Sequence, residues 1–291
     1  MQHAEWNERI ADGISHESMQ SASDRGWMAD DPLFIGGRRL SSRLFLGTGR
    51  FPSPYVLREA LDASGAEVLT FAVRRVNLEA AEDDAMLQHV EDRSFVFLPN
   101  TSGARTAEEA VRIARLARAA GLGNWVKVEI SADSRTLLPN VRETLKATEQ
   151  LVKENFVVLP YTSDDPVACR QLEEAGAAAV MPGGAPIGTG LGILNPYAIG
   201  LIAEQAGVPV IIDAGIRTAS DAALAMELGA SAVLVNTSVA KARDPVAMAR
   251  AMKWAVQAGR LAAMAGKIPR KKYASASSDP AGNLFGHPEI E

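Results

Sequence analysis

Cysteine is almost missing from this chain. Cys169 is the only thiol among 291 residues, which rules out an internal disulfide and a cysteine-based metal cluster. It lies in Asp165-Pro166-Val167-Ala168-Cys169-Arg170, a pattern that reads as the first turns of a helix, so a small helix-face filler is expected rather than a nucleophile. Histidine is scarce as well. His3, His16, His89 and His287 are scattered, mostly toward the ends, and supply neither zinc-ligand spacing nor a Ser–His–Asp relay. No metal is therefore expected. No apolar run approaches the ~18 residues that a membrane span needs. Residues 1–31 are polar and acidic throughout, without an apolar core or an arginine-rich stripe, which argues against a secretory signal or transit peptide. There is no excess of positive charge either. The formal net charge of −5 speaks against nucleic acid or a membrane surface as partner. A cytoplasmic location is the expectation.

What the chain does have is core. At 47% hydrophobic and 22% charged residues it can fill a large interior, and α/β barrels of this length often form one domain. From residue 40 onward one rhythm repeats: a short apolar run, a polar or glycine-rich turn, then a helical pattern. The runs are Arg43–Leu46, Val68–Val73, Phe95–Leu98, Trp125–Ile130, Phe156–Leu159, Ala178–Met181, Val208–Ile212 and Ala232–Val235. Near-continuous apolar strands alternating with helices indicate a parallel sheet, and eight of them indicate a (β/α)8 TIM barrel. An open doubly wound sheet competes, but nothing in it calls for stopping at eight.

The clearest helical stretch begins at Thr106, read as an N-cap with Glu109 completing a capping box. Val111, Ile113, Leu116 and Ala117 form its expected buried stripe. Gly121, Gly176, Gly207 and Gly229 each follow a helical pattern, where a left-handed C-cap is expected. Residues 1–31 read as a polar extension, 32–268 as the barrel, and 269–291 as a basic then polar tail.

Lys127-Val128-Glu129 stands out inside one of the apolar runs. Side chains alternate along a strand, so Lys127 and Glu129 share a face. A lysine there must be paired, or must carry a depressed pKa that leaves a neutral amine to attack a carbonyl. The bland alternative is a structural ion pair. In a barrel of this kind the chemistry gathers where strands run into their following loops. Those ends are Gly47-Thr48-Gly49-Arg50, Arg74-Arg75, Asn100-Thr101, Lys127 with Glu129, Tyr161-Thr162-Ser163, Pro182-Gly183-Gly184, Asp213-Ala214-Gly215 and Asn236-Thr237. The last two occupy the usual phosphate position of such barrels. The glycine-rich loop from Pro182 to Gly192 is placed to fold over a ligand. Asp213 reads either as a helix cap or as a proton carrier beside the lysine. Together these residues describe an enzyme that forms a Schiff base with a phosphorylated ketone or aldehyde.

Leu44–Arg50, Leu69–Arg75, Leu98–Thr101, Val126–Glu129, Val158–Asp165, Pro186–Gly190, Asp213–Ile216 and Val235–Thr237 resemble the bacterial thiazole synthase family (ThiG), over about residues 33–278. The resemblance implies synthesis of the thiazole phosphate half of thiamine. The implied substrates are 1-deoxy-D-xylulose 5-phosphate, dehydroglycine (2-iminoacetate) from an oxidase or lyase, and sulfur from a thiocarboxylated ubiquitin-like carrier protein. It implies that Lys127 forms the imine, that Glu129 and Asp213 move protons, and that Gly188, Ala214, Gly215, Asn236 and Thr237 hold the sugar phosphate. No cofactor is implied, and a homo-oligomer, tetramer or dimer, is. Arg217 departs from the family's usual small residue, and an arginine beside a phosphate would strengthen binding. The competing enzyme reading is another Schiff-base barrel, an aldolase or pentose-phosphate lyase, which would need no sulfur donor. A non-catalytic barrel that binds a protein is the reading from a different class.

Overall fold

The computed structural model describes residues 31–75, 95–131 and 133–277. The fold opens with a hairpin of β1 (Leu33–Ile35) and β2 (Arg38–Leu40), in which Ile35 lies opposite Arg38. Its turn, Gly36-Gly37, has φ of 54° and 79°, the left-handed pair whose twist matches the flanking strands. A side chain at Gly36 would collide with Val157, so the turn sits hard against the barrel wall.

Eight strands follow: β3 (Leu44–Gly47), β4 (Val68–Ala72), β5 (Val96–Asn100), β6 (Trp125–Val128), β7 (Val157–Thr162), β8 (Met181–Pro182), β9 (Ile211–Asp213) and β10 (Ala232–Val235). Each of the eight expected runs overlaps one, and β8 shares only Met181 with its run Ala178–Met181. They pair in parallel in the order β8-β7-β6-β5-β4-β3-β10-β9. A parallel bridge between Val180 and Val210 closes the ring, with the Ile211 N–H donating to the Val180 carbonyl at 2.9 Å. The architecture is a (β/α)8 TIM barrel.

The helices are α1 (Pro54–Ser64), α2 (Ala107–Ala119), α3 (Val141–Lys153), α4 (Pro166–Glu174), α5 (Pro196–Gln205), α6 (Ala219–Glu227), α7 (Thr237–Ala240) and α8 (Pro245–Ala265). Their starts were written in the chain. Ser53, Thr106, Asn140, Asp165, Asn195 and Asp244 each accept a first-turn N–H, and a proline opens α1, α4, α5 and α8, where its missing N–H costs nothing. The helical pattern expected between β4 and β5, and all four histidines, fall outside the described residues.

Alternation along each strand sorts the core into two layers. Phe45, Leu98, Leu159, Met181, Ile211 and Leu234 point inward and pack with Leu33, Ile35 and Leu40. The hairpin thereby plugs the end of the barrel where the strands begin. Leu44, Leu46, Leu69, Ile212, Val233 and Val235 point outward to the helices. Just before the hairpin, Asp31 is held by Arg260 through two bonds of 2.7 and 2.8 Å and by Arg43 at 2.9 Å. Arg43 is buried and also donates to the Ser231 carbonyl.

Some local expectations need correction. The buried face of α2 is Ala107, Ala110, Val111, Ala114 and Ala117, while Leu116 is half exposed and Ile113 only partly covered. Small residues let α2 approach the barrel closely, which rotates Leu116 outward. Thr106 does cap the Glu109 N–H, but Glu109 reaches the Arg105 N–H at 2.9 Å rather than that of Thr106. Gly121, Gly176 and Gly229 are left-handed as expected; Gly207 is not. Its N–H donates to the Glu173 carboxylate at 3.1 Å, which lies 2.6 Å from where a Cβ would stand. No helix among the described residues is long and apolar enough to cross a membrane.

Candidate active site

A cavity of about 760 Å³ opens at the end of the barrel where the strands run out, opposite the hairpin. Lys127, Glu129, Asp213, Gly188, Ala214, Gly215, Asn236 and Thr237 all line it. Residues from four separate stretches of chain thus meet at one surface.

Lys127 and Glu129 come from β6 and the residue past its end. The strand stops at Val128, two residues short of the expected Ile130. Glu129 still shares the cavity with Lys127, and Val128 faces α2 and α3 through its outer cluster. The Lys127 ammonium forms an ion pair with Asp213 Oδ2 and stands 3.6 Å from Glu129 Oε2. The ring of Tyr161, from β7, lies 5.5 Å from Lys127 Nζ, within cation–π range. All four residues are buried.

Burial works to push Lys127 below the ordinary lysine range, but the charges of Asp213 and then Glu129 outweigh it and hold the ammonium above that range. Asp213 is displaced upward, chiefly by burial, with Lys127 pulling the other way. The resting lysine is therefore a protonated, paired cation rather than the depressed neutral amine that an unpaired burial would produce. Its partner is a carboxylate with unusual affinity for a proton. A short transfer from Lys127 to Asp213 frees the amine without placing a new charge in the interior. Burial and the nearby carboxylates also raise Tyr161.

Asp213 caps no helix. Thr218 begins α6, and the Asp221 carboxylate accepts the Arg217 and Thr218 N–H groups at 2.9 and 3.0 Å. Ala214 and Gly215 follow Asp213 with φ of 75° and 84°. Two successive residues with positive φ turn the chain sharply at the cavity wall, and the Ala214 N–H donates to the Asp213 carboxylate. A Cβ on Gly215 would lie 2.4 Å from the Ala185 nitrogen, so no other residue fits. The loop after β8 is tied down to this turn. Gly184 donates to the Ala214 carbonyl at 3.2 Å and Gly192 to that of Gly215 at 2.9 Å. Gly188, with φ of 78°, faces open space.

Across the cavity, Asn236 leads into α7, its carbonyl accepting the Val239 and Ala240 N–H groups at 3.0 and 2.9 Å. The hydrogen-bond pattern orients its amide to donate to the Gly47 and Gly49 carbonyls at 3.3 and 2.6 Å. Its side chain thus shapes the loop after β3, which includes Arg50 in a left-handed conformation, φ 72°. The Ser238 hydroxyl is buried without a partner and its residue lines the same wall. Arg217 lines the rim.

Sequence reasoning overlooked Thr70 and Leu137, while Ile187 and Leu191 belong to the Pro182–Gly192 loop expected over the ligand. Thr70 lies within a strand, where threonine is common, and its hydroxyl donates to the Leu98 carbonyl at 2.8 Å; nothing in the chain distinguished it. Cys169 is buried in α4, its thiol pushed up to about 12 mainly by burial. It takes no part in the cavity.

Comparison with known proteins places this geometry in context. The family described as thiazole biosynthesis protein ThiG matches residues 34–279. The thiazole synthase of Halalkalibacterium halodurans is 67% identical over 251 residues, covering 86% of this chain and 97% of that one. That of Shouchella clausii is 68% identical over 256 residues, covering 88% and 97%. Among solved structures, the Amycolatopsis orientalis BexX/CysO complex contains a chain superposing with a TM-score of 0.74 at 35% identity, over 84% of this chain and 100% of that one. Thiamine phosphate pyrophosphorylase from Pyrococcus furiosus shares the fold alone, with a TM-score of 0.53 at 15% identity, covering 75% and 96%.

Proposed function

Since this chain belongs to the ThiG family of thiazole biosynthesis proteins, we propose that it builds thiazole through an imine on Lys127. The protein is a thiazole synthase, an enzyme of thiamine biosynthesis. One observation carries the proposed chemistry: a buried lysine held between two carboxylates at the mouth of a barrel, in the cavity that the positive-φ turn at Ala214 and Gly215 also lines.

The sugar 1-deoxy-D-xylulose 5-phosphate enters with its phosphate against the Ala214-Gly215 turn, Gly188 and the Asn236-Thr237 backbone. Lys127 passes its proton to Asp213, and the neutral amine attacks the ketone carbon. The carbinolamine loses water, taking a proton from Asp213, and leaves a protonated imine. That cation draws electrons from the adjacent carbon, so Glu129 can remove its proton and return it one position along, moving the carbonyl. The thiocarboxylate sulfur of a ubiquitin-like carrier protein then adds to the new carbonyl carbon. The oxygen formed there takes over the carrier's acyl group, and the acyl C–S bond breaks. The carrier leaves as a carboxylate with that oxygen, while sulfur stays on the sugar. Condensation with dehydroglycine closes the ring. That a relative was crystallised in complex with a second protein, CysO, supports a protein partner. We further read the enzyme as a cytoplasmic homo-oligomer.

The test is borohydride trapping with 1-deoxy-D-xylulose 5-phosphate, followed by peptide mass mapping. A stable adduct on the peptide bearing Lys127 is expected. A folded, sugar-binding protein with no adduct would reduce Lys127 and its carboxylates to a structural ion pair.

A further inference from the structure

Glu129 sits where the β5–β6 ladder breaks. Asn100 pairs with Lys127, and then β5 turns away through Thr101-Ser102-Gly103, returning only at the Ala104–Ile130 bridge. Between those two points Glu129 has no backbone neighbour on that side. The Thr101 side chain fills the gap. Its hydroxyl accepts from the Glu129 N–H at 2.9 Å and donates to the Glu129 carbonyl at 3.0 Å. One hydroxyl thus satisfies both main-chain groups of the residue that carries the carboxylate. The Thr101 N–H in turn donates to the Lys127 carbonyl at 3.1 Å. Thr101 is wholly buried, so water has no ready route to replace it. The turn itself is stiffened by Asn100, which accepts from the Ser102 N–H at 3.2 Å and donates to Thr70 at 3.3 Å.

We propose that Thr101 is a positioning residue for proton transfer: its side chain substitutes for a missing strand partner and so sets the Glu129 carboxylate relative to Lys127. The proposal rests on Glu129 acting as a proton carrier, as argued above. A serine could do the same work, and a valine of equal shape could not. Valine would leave both Glu129 main-chain groups buried and unpaired, so the chain there must shift to find partners.

The experiment compares Thr101→Val, Thr101→Ser, Glu129→Gln and the Thr101→Val/Glu129→Gln double variant in thiazole formation with the complete set of substrates. Thr101→Val is expected to lower kcat about 100-fold, as displacing a catalytic group by an ångström does. KM for the sugar phosphate and borohydride trapping on Lys127 should both persist. Thr101→Ser should recover most of the turnover. Adding Thr101→Val to Glu129→Gln should change little, because both act through one carboxylate. Multiplicative effects, or serine behaving like valine, would overturn the proposal. If Thr101→Val does not fold, Thr101→Ala replaces it in the same comparison. A crystal structure of the folded variant separates this inference from the imine itself: Glu129 still 3.6 Å from Lys127 would refute the positioning role whatever the wild-type trapping result.

Discussion

Lys127 and Asp213 meet from strands three places apart in the ring, and both are shut away from water. Neither charge is tolerable there alone. Together they form a pair in which one proton can sit on either partner, which is the property an imine-forming lysine needs before it can attack.

Removing the amine should expose that dependence. Lys127→Ala is expected to abolish borohydride capture and to leave Asp213 as an uncompensated buried carboxylate, a loss of about 3–5 kcal/mol in comparable pairs. Asp213 already stands above the usual carboxylate range, and without Lys127 it should rise further. A carboxyl raised on folding contributes stability at low pH that is lost as pH climbs through the folded value. The variant should therefore melt at a higher temperature at pH 5 than at pH 8. Thermal scans at both values check this, and equal midpoints would refute it.

The wild-type pair responds at the opposite end of the pH scale. Lys127 is raised on folding, so its contribution is complete below the ordinary lysine value and fades as pH rises through the higher folded one. Denaturant midpoints should fall above pH 10.5, the ordinary lysine value. Asp213→Asn removes the larger of the two raising charges and should move the pH midpoint of imine trapping downward by more than Glu129→Gln does. Single-turnover trapping across pH measures both shifts.

Gly215→Ala should damage the turn proposed to hold the phosphate. The new methyl would meet the Ala185 nitrogen at 2.4 Å in a left-handed backbone, and strain of this kind costs on the order of 1–3 kcal/mol before any clash is counted. The expected result is a lower melting temperature with a raised KM for the sugar phosphate. An unchanged KM would place phosphate binding elsewhere.

At the far end of the barrel, Asp31→Ala should loosen the hairpin plug. It strands the buried Arg43 and frees Arg260. Because Asp31 remains 19% exposed, the cost should fall at roughly 2–3 kcal/mol, below that of a wholly buried pair. Arg260, with some help from Arg43, holds Asp31 below the usual range, so its contribution is present above the ordinary carboxylate value and lost as pH falls through the folded one. Urea titration at pH 7 and pH 3 should show the difference between variant and wild type shrinking in acid.

Cys169 should ignore thiol reagents in the native protein. It is buried and its thiol is raised to about 12, so little thiolate exists at pH 8. Labelling is expected only after denaturation, and Cys169→Ala should retain imine trapping. Native labelling at the rate of a free thiol would contradict the packing described for α4.

The eight strand positions were legible because each run is apolar and buried on both faces, and the helix starts because capping residues act within one turn of chain. Leu116 was misread because periodicity gives the apolar stripe of a helix but not which edge of it meets the barrel; the alanines of α2, packed close, decided that. The end of β6 was misplaced for a related reason. Glu129 continues the alternation of the strand, and only the departure of β5 at Thr101 takes it out of the ladder.

The same division runs through the site. The chain by itself determined which residues are exceptional: a lysine and a glutamate in a buried run, an aspartate at a strand end, glycines where backbone must come close. Chemical oddity is a property of residue type against its neighbours, and it survives without coordinates. Tertiary structure alone decided which of these meet, that Lys127 is a paired ammonium rather than a neutral amine, and that Asn236 spends its side chain on the β3 loop. Those outcomes depend on distance and on shared exclusion of water between segments far apart in the chain, and Coulomb energies turn on both.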